Sequence, residues 1–374
     1  MPLELVEEGR AIFCTQALRL RSRFETVPEP LRSHLVQQAH SWKEAVLPRS
    51  TPSEFNESLE ELVKIPGFER FMLSRTSTEL LKAAKQGSVV VLIGTEASCD
   101  AILRSEGFAR PRLWWCPTGS FSFVPIHAAG EFRDGGECCS DYVVSSYAPT
   151  LRSLIDSRHS LQRIARNDMR LLLAAVPKGY IGNILPSTDE EVKVIGKWIP
   201  PSAIVPLSSS EDVDLPRDGV TMQTMLDNIP KATILHLACH GTQDTTNPLE
   251  SGFIMRDKLL TISQLMSLSH PNAFLAFLSA CETAKGDKNQ PDQTVHLAAA
   301  MLFAGFKSIV ATMWSMNDQD GPTVADAVYG QLFAGDSEYL NPNDIPYAVD
   351  AAVLKLKQAG IPPVRWAPYI HIGI

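Results

Sequence analysis

The chain has 374 residues, 44% of them hydrophobic and 20% charged, with a formal net charge of -8. These proportions fit a soluble globular protein of two or three units rather than one minimal core. They argue against a general nucleic-acid binder, which needs a basic stripe; the nearest approach, Arg19 to Arg23, reads as the polar end of an amphipathic helix.

Residues 1–86 read as an all-helical region. Leu3, Val6, Ile12, Leu18 and Leu20 give one apolar stripe, and Leu31, Leu35, Trp42 and Val46 a second, punctuated by Pro28, Pro30, Pro48 and Pro52. Short helices are expected at 54–63 and 67–86. Such hairpins can end a helical-repeat array, although no clean internal period is present. The pattern changes at Gly87. Ser88 to Gly94 is a continuous apolar run of the buried-strand type. A helix is expected over 96–106. A hairpin is expected where 112–115 and 121–124 flank Pro117-Thr-Gly119. A helix over 151–166, a strand over 169–176, a helix over 190–198 and a strand over 203–205 follow.

The alternation sharpens in the second half. The strand 232–239 stops at His240-Gly241, and the strand 273–279 stops at Ala280-Cys281. Around them come a strand at 252–255 and a helix at 263–268. Further on come a helix at 294–304, a strand at 307–313 and helices at 323–333 and 344–358. The apolar stretch Val295 to Trp314 contains His296, Gly305 and Lys307, so it predicts a helix and a strand rather than a membrane span. Strands alternating with helices predict the α/β class, with a mostly parallel sheet flanked by helices. In such sheets the working site lies beyond the carboxyl ends of the strands.

His240 and Cys281 both sit at such ends. A cysteine attacks as its thiolate, and histidine titrates close enough to neutrality to take the proton. The 41 residues between them allow one crossover, so neighbouring parallel strands would bring the side chains together. The unshielded amide of Gly241, with that of Cys281, could hold an oxyanion. Cys239 alternates to the opposite face and is expected in the core. His236 shares the face of His240 and is expected in a buried hydrogen bond. A zinc site at His236, Cys239 and His240 lacks a fourth ligand. The seven cysteines (14, 99, 116, 138, 139, 239 and 281) are odd in number with no CxxC pair, which points to a reducing, cytoplasmic compartment. The N-terminus lacks the basic and apolar regions of a secretory signal. No Walker loop or GxGxxG is present, so no nucleotide cofactor is expected. Cys138-Cys139 reads as a free surface pair, and 286–294 as a mobile loop.

The segment Ile234-Leu-His-Leu-Ala-Cys-His-Gly241 resembles the histidine motif of CHAT-domain proteins, relatives of caspases and separases. Leu278-Ser-Ala-Cys-Glu-Thr-Ala-Lys-Gly286 resembles their cysteine motif. The likeness continues through His296 to Trp314, Asn317-Asp318 and the C-terminal Trp366-Ala-Pro-Tyr-Ile-His-Ile-Gly373, with Pro117 to Pro125 upstream. The stretch from Glu8 to Arg21 is similar to helices preceding such domains in fungal tetratricopeptide-CHAT proteins.

The resemblance implies a caspase-like fold with a non-catalytic half at 87–200 and a catalytic half at 201–374. It implies a cysteine endopeptidase with Cys281 as nucleophile, His240 as base, and the Gly241 and Cys281 amides as oxyanion hole. Asp318, in Trp314-Ser-Met-Asn-Asp318, matches the aspartate that lines a basic P1 pocket in separase-like members. The alternative for Asp318 is an exposed loop residue capping the helix that follows Gly321. The partners implied are a protein substrate and a regulatory protein contacting the helical N-terminal region, with neither nucleic acid nor membrane. The alternative is a non-proteolytic interaction module on the same scaffold with a silent site.

Overall fold

The structure is a computed structural model. It describes residue 64 and residues 76–94, 99–102, 110–131, 136–205, 207, 219–244, 247–268, 270, 272–280, 297–335 and 337–374. The helical expectation for 1–75 therefore lies, residue 64 aside, outside the described residues.

The strands are β1 (Ser88–Gly94), β2 (Cys99–Ile102), β3 (Arg112–Pro117), β4 (Val144–Tyr147), β5 (Leu171–Ala175), β6 (Ile234–Ala238), β7 (His240–Thr242), β8 (Gly252–Ile254), β9 (Leu259–Thr261), β10 (Leu275–Ser279), β11 (Ser308–Thr312) and β12 (Tyr369–Gly373). Helices of six residues or more are α1 (Leu151–His159), α2 (Thr188–Gly196), α3 (Met222–Asn228), α4 (Ile262–Ser267), α5 (Leu297–Ala304), α6 (Gly321–Phe333) and α7 (Asp344–Gln358). Nine strands form one sheet in the order β2-β1-β3-β4-β12-β11-β10-β6-β5, and β7-β8-β9 form a small second sheet.

The large sheet consists of two parallel blocks of opposite direction. β5, β6, β10 and β11 run one way. β1, β3, β4 and β12 run the other way, and the blocks meet at the antiparallel pair β11–β12. The carboxyl ends of β6 and β10 therefore share a rim with those of β5 and β11, and those of β1, β3, β4 and β12 lie on the opposite rim. The α/β expectation of a mostly parallel sheet flanked by helices holds.

Strands buried on both faces must be apolar on both, which is why β5, β6, β10 and β11 read as continuous hydrophobic runs. Leu235, Leu237, Ala276, Leu278 and Ile309 pack on one face beneath α3, α4 and α5. Ile234, Leu275, Phe277 and Val310 pack on the other, against α2, α6 and α7. Helix α5 (LAAAMLFA) is apolar all round in sequence, and Leu297 to Met301 and Ala304 are buried, as that pattern demands. It ends at Gly305, whose φ of +116° favours glycine and where a Cβ would collide with the His270 carbonyl. Among the described residues no helix is long and apolar enough to cross a membrane.

Several local expectations are corrected. Cys99–Ile102 is a strand antiparallel to β1, not part of a helix. Pairing satisfies backbone groups along an edge of β1 that would otherwise stay open. The hairpin at Pro117-Thr-Gly119 does not form. β3 is flanked on both sides by parallel partners, leaving no edge for a hairpin strand, and Gly119–Phe123 is a 3-10 turn. α1 stops at His159, and residues 203–205 contribute an isolated bridge from Ile204 to Leu171. Cys138 is buried rather than on the surface, with its Sγ 2.9 Å from Lys357 Nζ.

A corner by β4 and β12 holds two buried histidines. His127 Nδ1 lies 2.8 Å from the Tyr147 hydroxyl. Burial lowers the His127 pKa to about 4. His371 is also driven well down, by burial and by nearby Arg112. An unfolded chain takes up a proton at each near pH 6.5, whereas the folded chain refuses it until lower pH. Their contribution is thus complete above about pH 6.5 and is lost as pH falls toward 4, roughly 3 kcal/mol for His127 alone. Urea midpoints should fall between pH 7 and pH 4.5, and His127→Gln should flatten the dependence. A midpoint constant across that window in the native chain would refute the assignment.

Candidate active site

β6 ends at Ala238, whose register partner on β10 is Ser279. The strands stay in contact for one more residue, because the Cys239 N–H donates to the Ser279 carbonyl at 3.3 Å. The chain then leaves the large sheet, and His240 opens β7, opposite Ile254 of β8. Gly241, expected to offer an oxyanion amide, follows in β7 opposite Phe253. The period-two rule places Cys239 in the core under α3–α5, where it is buried.

Cys281 lies outside the described residues, as does the loop 286–294. The backbone leading to it is described. Ala280 is buried, and its carbonyl accepts a hydrogen bond from Thr312 Oγ1 at 2.9 Å. The residue preceding Cys281 is therefore tied to β11, and the one before that to the end of β6.

The partner of His240 comes from the segment 177–187 between β5 and α2. His240 Nε2 lies 2.7 Å from the carbonyl oxygen of Asn183. A carbonyl only accepts, so Nε2 carries the proton and donates it, leaving Nδ1 with a bare lone pair in the neutral ring. Gly182 has φ +100°, and a Cβ there would stand 2.9 Å from His240 Cδ2. Only glycine lets the backbone lie against the imidazole in this way. The segment is held at several points. Leu185 N–H donates to the Pro177 carbonyl at 2.9 Å and Tyr180 N–H to the Met255 carbonyl at 3.2 Å.

Asp318 grips the same segment at its other end. Its Oδ2 accepts from the Ser187 N–H at 2.8 Å, at the threshold of α2. It thus serves α2 rather than the helix after Gly321, and the Asn317 side chain accepts from Gln319 N–H instead. The fully buried carboxylate of this stretch is Asp320, bound by Arg365 through Nε at 2.9 Å and a terminal nitrogen at 2.6 Å. Asp318 itself is partly exposed.

His236 meets its expectation of a buried hydrogen bond. Nε2 lies 3.1 Å from Glu191 Oε1 and Nδ1 3.1 Å from the Tyr329 hydroxyl. With both ring nitrogens engaged and Cys239 facing the other layer, His236, Cys239 and His240 do not converge on a metal. Among the described residues no cluster of three His, Cys, Asp or Glu side chains could hold one.

Sequence reasoning missed Gly182, Asn183 and Glu191. For the first two a signal existed: paired glycines, Gly179 and Gly182, in the run after β5 at the working rim. For Glu191 none existed, since a Glu in the first turn of an amphipathic helix normally faces water.

A family model described as "CHAT domain" matches residues 100–374. Among solved structures, the chain is similar to separase in the Saccharomyces cerevisiae separase–securin complex, at 12% identity and a TM-score of 0.45, covering 73% of this chain and 16% of that one. It is also similar to the Arg-specific cysteine proteinase gingipain R, at 15% identity and TM-score 0.45, covering 70% and 62% of the two chains. A third likeness is to the complex of Porphyromonas gingivalis RgpB pro- and mature domains, at 14% identity and TM-score 0.45, covering 72% and 65%. The chain spans less than two thirds of the length of each of these. No curated protein sequence matches it.

The tautomer of His240 is directly measurable. Nitrogen-15 NMR of the neutral ring should show Nε2 protonated and Nδ1 bare. Gly182→Val should abolish that preference by displacing the ring. A neutral His240 protonated at Nδ1 in the native chain would refute the Asn183 contact.

Proposed function

The chain belongs to the CHAT domain family, and on that footing we propose that it is a cysteine endopeptidase with Cys281 as nucleophile and His240 as base. One observation carries the reading. His240 is held by an acceptor-only carbonyl at Nε2, so its free lone pair is at Nδ1, two residues past the end of β6, whose in-register neighbour β10 ends two residues before Cys281. Each proposed reacting residue lies two positions past a register pair, Ala238 and Ser279.

The chemistry follows. The Cys281 thiol gives its proton to His240 Nδ1, and the thiolate attacks the scissile carbonyl carbon. Asn183 keeps Nε2–H engaged, so the imidazolium forms in a fixed orientation. The amides of Gly241 and Cys281 take the oxyanion. Collapse breaks the C–N bond, and Nδ1–H protonates the leaving amine. Water, deprotonated at the same Nδ1, then attacks the thioester and releases the acid and the thiol. The reducing compartment expected from the scattered cysteines suits a free thiol nucleophile.

Asp318 is the proposed basic-P1 determinant. Its Oδ2 accepts from Ser187 N–H, so a bound Lys or Arg would share the carboxylate with that amide. The proposed non-catalytic half at 87–200 contributes β1, β3 and β4, and its last part supplies β5, α2 and the Asn183 segment. Residues 1–86 are the proposed contact for a regulatory protein.

Cys281→Ala should abolish hydrolysis of a protein substrate, and His240→Ala should lower kcat by about 10²- to 10⁴-fold. Full turnover in Cys281→Ala would sink the assignment. In that event the non-proteolytic scaffold reading gains. A positional-scanning peptide library should give a Lys/Arg preference at P1 that Asp318→Ala removes. A preference unchanged by that substitution eliminates the pocket role.

A further inference from the structure

Beneath the rim, the strands that lead to His240 and Cys281 are tied to a single carboxylate. Glu191, on α2, is 3% exposed. Its Oε1 accepts from His236 Nε2 at 3.1 Å, and its Oε2 accepts from Ser279 Oγ at 3.0 Å. His236 lies on β6, four residues before His240. Ser279 lies on β10, two residues before Cys281. The imidazole of His236 is fixed in turn. Its Nδ1 takes the Tyr329 hydroxyl of α6, and its ring stacks on Phe277 at 4.6 Å between centroids. Gly321 opens α6 without a side chain; a Cβ there would stand 2.9 Å from Glu191 Oε2 and 3.2 Å from Ser279 Oγ.

A carboxylate here is an expensive way to fill space. Apolar side chains of the same volume pack as well without desolvating a charge. What the carboxylate adds is direction: two acceptor oxygens fix two donors from two different strands at once. The same helix begins at the segment whose Asn183 carbonyl holds His240, and its threshold is held by Asp318.

We propose that Glu191 is a positioning residue for the Cys281/His240 pair. It sets the spacing of the β6 and β10 ends and, through α2, the place of the Asn183 carbonyl. It touches neither reacting atom. This role rests on the Cys281/His240 reading of the preceding section.

Two variants test it. Glu191→Gln preserves shape but turns one acceptor into a donor, so the side chain can no longer accept from both His236 Nε2–H and Ser279 Oγ–H and the network must rearrange. Ser279→Ala removes only the tie to β10 and is the milder change. The measurement is the pH dependence of iodoacetamide alkylation at Cys281, followed by mass spectrometry of its peptide, beside kcat and KM on a cleaved peptide. The native chain should alkylate with a midpoint well below about 8.5, the free-cysteine value, and His240→Ala should move it. Both test variants should shift the midpoint toward the free value. They should also lower kcat by about tenfold to a hundredfold with KM changed less than about twofold. A native midpoint that depends on His240 but is unchanged, with kcat, in both variants overturns the positioning role alone. A native chain whose Cys281 alkylates as an ordinary thiol, unmoved by His240→Ala, overturns both the pair and this role.

Discussion

Parallel register between β6 and β10 puts Ala238 beside Ser279, and almost everything at the rim descends from that pairing. A strand cannot slip by one residue without moving every side chain to the opposite face. Here both rows are buried but unlike, with Leu235 and Leu237 facing one layer and His236 and Phe277 the other, so a slip would exchange side chains between two differently packed layers. The ends of the two strands are therefore held in relation to one another before any polar contact forms. The polar contacts then refine what packing has set: Thr312 on the Ala280 carbonyl, Glu191 on His236 and Ser279, Asn183 on His240.

The site is a collaboration between strands and one connecting segment. Strands supply rigidity, and the stretch 177–187 supplies an orientation that strands cannot. A strand-end histidine is free to turn about two side-chain bonds. A backbone carbonyl beside a glycine removes that freedom without introducing another titratable group. The choice of carbonyl over carboxylate matters electrically, because a neutral acceptor fixes the tautomer while adding no net charge at the rim.

The parallel strands and the helices between them were legible in the sequence because each is long, apolar and punctuated. His240 and Cys281 were legible as candidates because they sit where such runs stop. The alternation rule also separated His236 from Cys239 correctly. What could not be read depends on partners distant in sequence. Cys99–Ile102 carries no strand signal of its own and pairs because β1 has an open edge. Phe121–Val124 looks like the return arm of a hairpin, yet β4 already occupies that side of β3. The burial of Glu191 is set by His236 and Ser279, 45 and 88 residues away. A pattern local to α2 contains no trace of either. Asp318 could be named as a candidate, but its engagement with Ser187, 131 residues away, could not.

The seam between the two blocks has a consequence for biosynthesis. β4 and β11 are never neighbours; β12 stands between them, parallel to one and antiparallel to the other. β12 is also the last of the strands to leave the ribosome. A nascent chain that has already made β1 through β11 holds two half-sheets, each with an unpaired edge where the missing strand belongs. Until residues 369–373 emerge, the half-sheets have no common ladder, and each exposes a template for a strand from another chain. Residues 369–373 thus act as the closing stitch, and an elongating polypeptide is most exposed to mispairing just before they appear.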